Sequence, residues 1–284
     1  MMRRVLITGA GGALGQDLAS AFAANDWGVT PLGHADLDVS DRDTVLAACS
    51  GIRPDLVVHA GAWTAVDDCE SDPDRAFAVN ALGTRHVAEG SAATGAHLVY
   101  ISTDYVFDGA SSLPYNEWDR TNPLSVYGRS KLAGEKEAGA GATVIRTSWV
   151  CGRHGTGMVH TALRLLAGEG PLRFVDDQVG CPTFTADLAH MVESLATERR
   201  PGLFHVTNSG PTTWYGFVRA VAEAAGADPN RVEPISTGEL TPPRPAPRPA
   251  NSVLDNAALR LSGVSLLGHW SAPLADVVRE LTGN

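Results

Sequence analysis

The chain has 284 residues, of which 44% are hydrophobic and 19% charged, an ordinary globular composition with enough apolar residues for a large core, which excludes a fibrous or disordered chain. A formal net charge of -10 with no cluster of Lys and Arg excludes a nucleic-acid partner, because a phosphate backbone is held by grouped cations. No apolar run reaches the roughly 18 to 20 residues that span a bilayer, and the N-terminus enters a strand pattern directly rather than a signal segment, so a soluble cytoplasmic protein with no membrane partner is expected.

The first half alternates short apolar runs with helical patterns. Strands are predicted at "RRVLIT" (3–8), "GVTPL" (28–32), "DLVVHA" (55–60), "HLVYIS" (97–102) and "TVIRTS" (143–148), with helices beginning near Leu14, Asp41, Asp72 and Ser125. Continuous aliphatic and β-branched runs of this kind suit parallel strands buried on both faces. The expected fold is α/β: a Rossmann-type doubly wound parallel sheet over residues 1–150, then a smaller C-terminal α+β substrate-binding lobe over 151–284, with parts of the chain crossing back. In that second half, helices are predicted at 158–168, 185–197 and 215–226 and a strand at 172–175. "TPPRPAPRPAN" (241–251) holds five prolines in eleven residues and reads as a rigid extended loop on the surface.

Between the first strand and first helix, "LITGAGGALGQDL" places Gly9, Gly12 and Gly15. In this order of elements the first glycine allows a tight turn, the second lets the backbone approach a pyrophosphate and the third lets helix and strand pack closely. The helix N-terminus then faces the phosphates. The second strand ends in Gly33 and His34, neither the acidic residue that accepts the ribose of NAD nor the Arg that welcomes the extra phosphate of NADP, so either NADH or NADPH is expected. In "DLDVSD", Asp38 and Val39 could hold the adenine edge, although Asp36, Asp38 and Asp41 could equally be turn formers and helix caps.

The chain has two lysines, Lys131 and Lys136. Tyr127 and Lys131 are four apart in a helical stretch, which puts them on one face about 5 to 6 Å apart at Cβ. An ammonium beside a phenol is expected to stabilise the phenolate and lower its pKa from about 10. The fourth strand ends in "ISTDYVFDG", which presents Thr103 and Asp104 at the sheet edge where ligands of such folds bind. Thr103 can then share a substrate oxygen with Tyr127. Lys136, between Glu135 and Glu137, reads as a solvated surface charge. The four cysteines and nine histidines show no ligand spacing, so no metal is expected.

These motifs resemble the extended short-chain dehydrogenases, and within them the dTDP-4-dehydrorhamnose reductases. The resemblance runs over nearly the whole chain: "TGAGGALG", "DLDVSD", "VVHAGAWTAVDDCES", "AVNALGT", "ISTDYVFDG", "NPLSVYGRSKLAGE", "RTSWV", "VDDQVGCPT" and "RPANSVLDN" follow in order. It implies Thr103, Tyr127 and Lys131 as the catalytic set. It implies dinucleotide contacts at Gly9, Gly12, Ala13, Leu14, Asp38, Val39, Ala60, Gly61 and Ala62, with Tyr127 and Lys131 also touching the cofactor. Thr64, Val66, Thr103, Asp104, Tyr105 and Trp149 match positions that border the sugar nucleotide. The implied reaction is reduction of a dTDP-4-keto-6-deoxy sugar by a monomer or homodimer, with a non-catalytic cofactor-binding subunit or an epimerase as alternatives. A dehydratase fits poorly, because Thr103-Asp104 is followed by Tyr105 where those enzymes place Glu. The chain departs from the pattern at His59, Trp63, Asp68, Cys151 and Gly157-Met158. Arg153, Arg244 and Arg248 are candidates for the substrate diphosphate, and Asp17 falls where some relatives hold a dimer-interface metal.

Overall fold

A computed structural model of the protein describes residues 2–283. Its centre is a six-stranded, all-parallel sheet made of β1 (Arg4–Thr8), β2 (Gly28–Leu32), β3 (Leu56–His59), β4 (His97–Thr103), β5 (Thr143–Thr147) and β6 (Gly202–His205), ordered β6-β5-β4-β3-β1-β2. The first five coincide with predicted strands, because their apolar runs are buried on both faces: Leu6, Ile7, Val57, Val58 and Val99 have almost no exposed surface. The order reverses direction at β1, which pairs with β2 on one side and β3 on the other. In doubly wound sheets the crevice at that reversal is where ligands lie.

β6 was not expected. It follows Pro201, is only four residues long, and joins β5 in parallel register, Gly202 opposite Thr143. The helix Thr185–Thr197 also returns to the sheet, where Leu188, Val192 and Leu195 share a core with Val5, Ile7, Leu18 and Phe22 of the β1 unit. A second core gathers Val159, Leu166, Phe184, Phe217, Val221, Trp270 and Leu274 from the later helices. No helix among the described residues is long and apolar enough to cross a membrane.

The proline-rich segment forms a strap between these parts. Arg248 makes two hydrogen bonds to Asp67, at 2.6 and 2.7 Å, and the Ala246 amide donates to the same carboxylate at 3.1 Å. Val179 donates to the Ala250 carbonyl and the Ser252 amide returns one to Val179, both at 2.8 Å. A planar fork on a carboxylate is a specific anchor, and Arg248 is well covered although Asp67 is partly open to solvent. Arg248→Ala should therefore lower unfolding stability by about 1 to 2 kcal/mol, read as a lower urea midpoint with an unchanged slope.

Candidate active site

A cleft of about 730 Å³ opens at the C-terminal ends of β1, β3 and β4. The glycine turn forms its floor. Gly9 has φ of +71°, and a Cβ there would lie 2.6 Å from the Gly61 backbone. At Gly15 a Cβ would lie 2.4 Å from the Gly9 carbonyl, so the third glycine is what lets the first helix (Ala13–Ala24) sit on the turn. Gly12 caps that helix with no side-chain hydrogen bond to the first-turn amides, which leaves them for an anion. Gly9, Gly12, Ala13 and Leu14 line this end together with Ala60, Gly61 and Ala62. The cradle fits a dinucleotide diphosphate: backbone surrounds it where any side chain would fill the space.

Asp38 and Val39 line the far end. The Asp38 carboxylate accepts from the Ser40 amide and hydroxyl at 2.9 and 2.7 Å, and these bonds hold its carboxyl below the usual range. Asp41 caps the Arg42–Ile52 helix through Asp43 and Thr44, and Asp36 accepts from the Gly33 amide. All three acids therefore do turn or cap work, and Asp38 alone also faces the cleft. His59 is fully buried and bonded to Thr8 at 2.7 Å, with its pKa pushed by burial down to about 3. It is a neutral structural group.

Thr103, at the end of β4, and Tyr127 and Lys131, on the Val126–Ala138 helix, meet in the middle of the cleft. Ser125 caps that helix through the Gly128 amide at 3.1 Å, and Gly128 and Gly134 are where it presses against Tyr105 and Tyr100. Thr103 Oγ1 donates to Asp104 Oδ1 at 3.0 Å and accepts from the Tyr105 amide at 3.2 Å. The Asp104 carboxyl, with no partner on Oδ2, is pushed by burial up to about 6 against the opposing pull of the neighbouring Ser252 and Thr103 hydroxyls. Lys131 Nζ donates to the Ile101 carbonyl at 2.7 Å and lies 4.2 Å from the centre of the Tyr100 ring. Burial draws its pKa down to about 7 against the opposing pull of Glu135.

The expectation that Lys131 lowers the Tyr127 pKa is outweighed by burial in the fold. Burial of the phenol is the largest influence and pushes its pKa up, with the Thr103 hydroxyl acting in the opposite direction. The physical reason is desolvation: a phenolate here would lose its water, and the ammonium is directed to a carbonyl and another ring. Tyr127 thus rests as an acid.

The Lys131 shift has a stability consequence. An amine whose folded pKa is near 7 binds fewer protons than the unfolded chain from there up to its ordinary value near 10.5. Its penalty is present in full below about pH 7 and is relieved as pH rises through that window. Lys131→Met should therefore raise the apo-protein's melting temperature at pH 7, and the gap to wild type should shrink by pH 10. A pH-independent gap would contradict the buried charge.

Thr64, Val66, Asp104, Tyr105 and Trp149 line the remaining wall. The residues expected to be catalytic, to bind the cofactor and to border the sugar nucleotide thus all line this one cleft. The three arginines do not. Arg153 lies 3.8 Å from Asp17 and 3.5 Å from Glu280, Arg248 is held by Asp67, and Arg244 stands 3.8 Å from the same carboxylate. Each is drawn to a carboxylate outside the cleft, which sequence spacing could not reveal. Asp17 faces Arg153 and His154, and no group of three metal-ligating side chains occurs among the described residues. Lys136 is exposed as expected, whereas Glu135 is a partly buried partner of Arg146 and Ser102. His34, Trp63, Arg75 and Trp214 also line the cleft. Sequence reading weighed His34 only for the choice of dinucleotide and Trp63 only as a departure from the family pattern, and it missed Arg75 and Trp214, which reach the cleft by tertiary packing, as when Arg75 stacks 4.5 Å over Trp63.

The family model described as the RmlD substrate binding domain matches residues 2–282. A dTDP-4-dehydrorhamnose reductase of Streptomyces griseus is 42% identical, over 99% of this chain and 94% of its own. A dTDP-4-keto-6-deoxy-D-glucose reductase of Streptomyces niveus is 37% identical over 97% of this chain and 96% of its own. The crystal structure of a dTDP-4-dehydrorhamnose reductase from Bacillus anthracis in complex with NADP superposes with a TM-score of 0.94 at 35% identity, covering 99% of this chain and 100% of that one.

Proposed function

The chain belongs to the family described as the RmlD substrate binding domain, and from that membership we propose that it reduces the 4-keto group of a dTDP-4-keto-6-deoxy sugar to the 4-hydroxy sugar. The substrate is dTDP-4-dehydrorhamnose or a related deoxysugar, and the reductant is NADPH or NADH. The observation that most supports this is the meeting of Thr103, Tyr127 and Lys131 beside the glycine cradle in one cleft.

In this reading Gly9, Gly12, Ala13 and Leu14 hold the cofactor diphosphate, with Ala60, Gly61 and Ala62 across from them, and Asp38 and Val39 border the adenine. When bound, the reduced nicotinamide supplies the hydride for C4 of the sugar. Tyr127 gives the phenolic proton to O4 as negative charge develops there, and burial keeps that proton in place until then. Thr103 turns its hydroxyl from Asp104 to the same oxygen, so that two donors meet the developing oxyanion. Lys131 holds the ribose hydroxyls, and in its charged form it offsets the phenolate left after proton transfer. Thr64, Val66, Asp104, Tyr105 and Trp149 border the sugar nucleotide.

The enzyme is expected to work in the cytoplasm as a monomer or a homodimer. A panel of dTDP-4-keto-6-deoxy sugars differing at C3 and C5 tests the proposal. At least one should be consumed with matching oxidation of NADPH or NADH, while dTDP-glucose, which has no ketone, should not.

A further inference from the structure

Trp149 lies two residues beyond β5, with φ of +46°. A bulky residue stays in the left-handed region only where its surroundings over-determine it. Here they do so on three sides. The indole lies parallel to Trp214, with ring centres 3.6 Å and planes 4° apart. Gly180 sits at its edge, where a Cβ would come within 2.5 Å of the ring. The Trp149 carbonyl accepts from the Thr183 amide at 3.2 Å.

Trp214 is itself anchored. It opens the Trp214–Ala224 helix, whose capping residue Thr213 accepts from the Gly216 amide and donates to Asp176 at 2.6 Å. Its ring meets Phe217 edge-on at 6.4 Å, and Phe217 meets Trp270 at 5.6 Å. A file of aromatic rings thus runs from the cleft into the second hydrophobic core, and both tryptophans line the cleft.

We propose that Trp214 is a positioning residue: by stacking on Trp149 it fixes an apolar wall at the sugar end of the cleft, and so governs capture of the deoxysugar and not of the cofactor. The proposal rests on the reductase reading above. A flat indole suits the C–H face and methyl group of a 6-deoxy sugar, and it does so only while its plane is held. The glycine cradle lies on other elements, β1 and the first helix, so its hold on the dinucleotide is independent of this stack.

The test uses full-length Trp214→Leu and Trp214→Phe, with KM for the dTDP-4-keto sugar, kcat, and the Kd for NADPH by fluorescence titration. Loss of a stacked aromatic pair corresponds to a KM increase of about 2-fold to 10-fold, with NADPH Kd unchanged and kcat affected less than KM. Trp214→Phe, which keeps a ring, should recover most of the wild-type KM. Gly180→Ala, which crowds Trp149 from the other side, should reproduce the KM effect without touching Trp214, and it decides the matter if Trp214→Leu does not fold. Wild-type KM in both Trp214→Leu and Gly180→Ala overturns the proposal. So does an equal loss of sugar and NADPH affinity, which would mark a general structural role. If the wild type reduces none of these sugars, the reductase reading fails instead.

Discussion

Tyr127→Phe should lower kcat by about 100-fold to 10,000-fold, the usual contribution of a positioned acid, while the protein stays folded. The substitution removes one oxygen and keeps the ring. That ring packs edge-on against Tyr105 at 5.9 Å and shares a small core with Cys69, Ala76 and Val126, so the packing survives. What disappears is the proton for O4. Thr103 remains as a donor to the oxyanion, which is why the variant should keep a measurable residual rate instead of falling to zero. The measurement is NADPH oxidation at saturating sugar nucleotide beside a thermal melt. A large drop in kcat with little change in melting temperature is expected, and unchanged turnover would remove Tyr127 from the chemistry.

Gly9→Ala should harm both stability and cofactor binding. The new methyl would stand 2.6 Å from the Gly61 backbone and 2.7 Å from Ala60, and φ at this position is +71°. Backbone strain of this kind and forced overpacking each contribute about 1 to 3 kcal/mol. For a chain of this size that corresponds to a fall in melting temperature of roughly 3 to 10 °C. Because Gly9 and Gly61 belong to opposite walls of the cradle, relief of the clash must spread them, and the Kd for NADPH should rise with the instability. Gly11→Ala, at a glycine that also lines the cleft, is the control for strain: no atom beyond its chain neighbours lies within 4 Å of a Cβ there, and φ is not in the left-handed region. Equal melting temperatures and equal NADPH affinity for the two variants would contradict the role assigned to the turn.

Much of the fold was legible in the sequence because its signals are local. Asp41, Asp72 and Ser125 each start the predicted helix as its capping residue, and the helix at 185–197 and the strand at 172–175 lie where apolar spacing puts them. β6 was missed for the opposite reason: "GLFH" has few apolar residues and is a strand only because β5 offers it a free edge. The short helix Val66–Ser71 and the π-helical turn Ala78–Leu82 likewise depend on neighbours, as where Asn80 bonds to Trp63 and Ser130.

The candidate site divides in the same way. Glycine spacing and the Tyr127–Lys131 interval are short-range patterns with a chemical reason, and those residues border the cleft. The direction of the Tyr127 pKa shift depends on burial, which pairwise spacing does not report. Which way the arginines point could not be read from the sequence, because a cation's partner is set by tertiary packing: Arg248 is 181 residues from Asp67 along the chain. Trp214 was invisible as a cleft residue because its ring reaches the cleft only when the second core docks on the first.

In the proposed reaction this chain carries hydride from the nicotinamide to C4 of a dTDP-4-keto-6-deoxy sugar. The most direct test supplies NADPH deuterated at the transferable position together with the keto sugar and follows the sugar by NMR. One deuterium is expected at C4 of a 4-hydroxy product, formed in step with cofactor oxidation and nearly abolished in Tyr127→Phe. A product without deuterium at C4, or conversion of the sugar with no net oxidation of the cofactor, would contradict it.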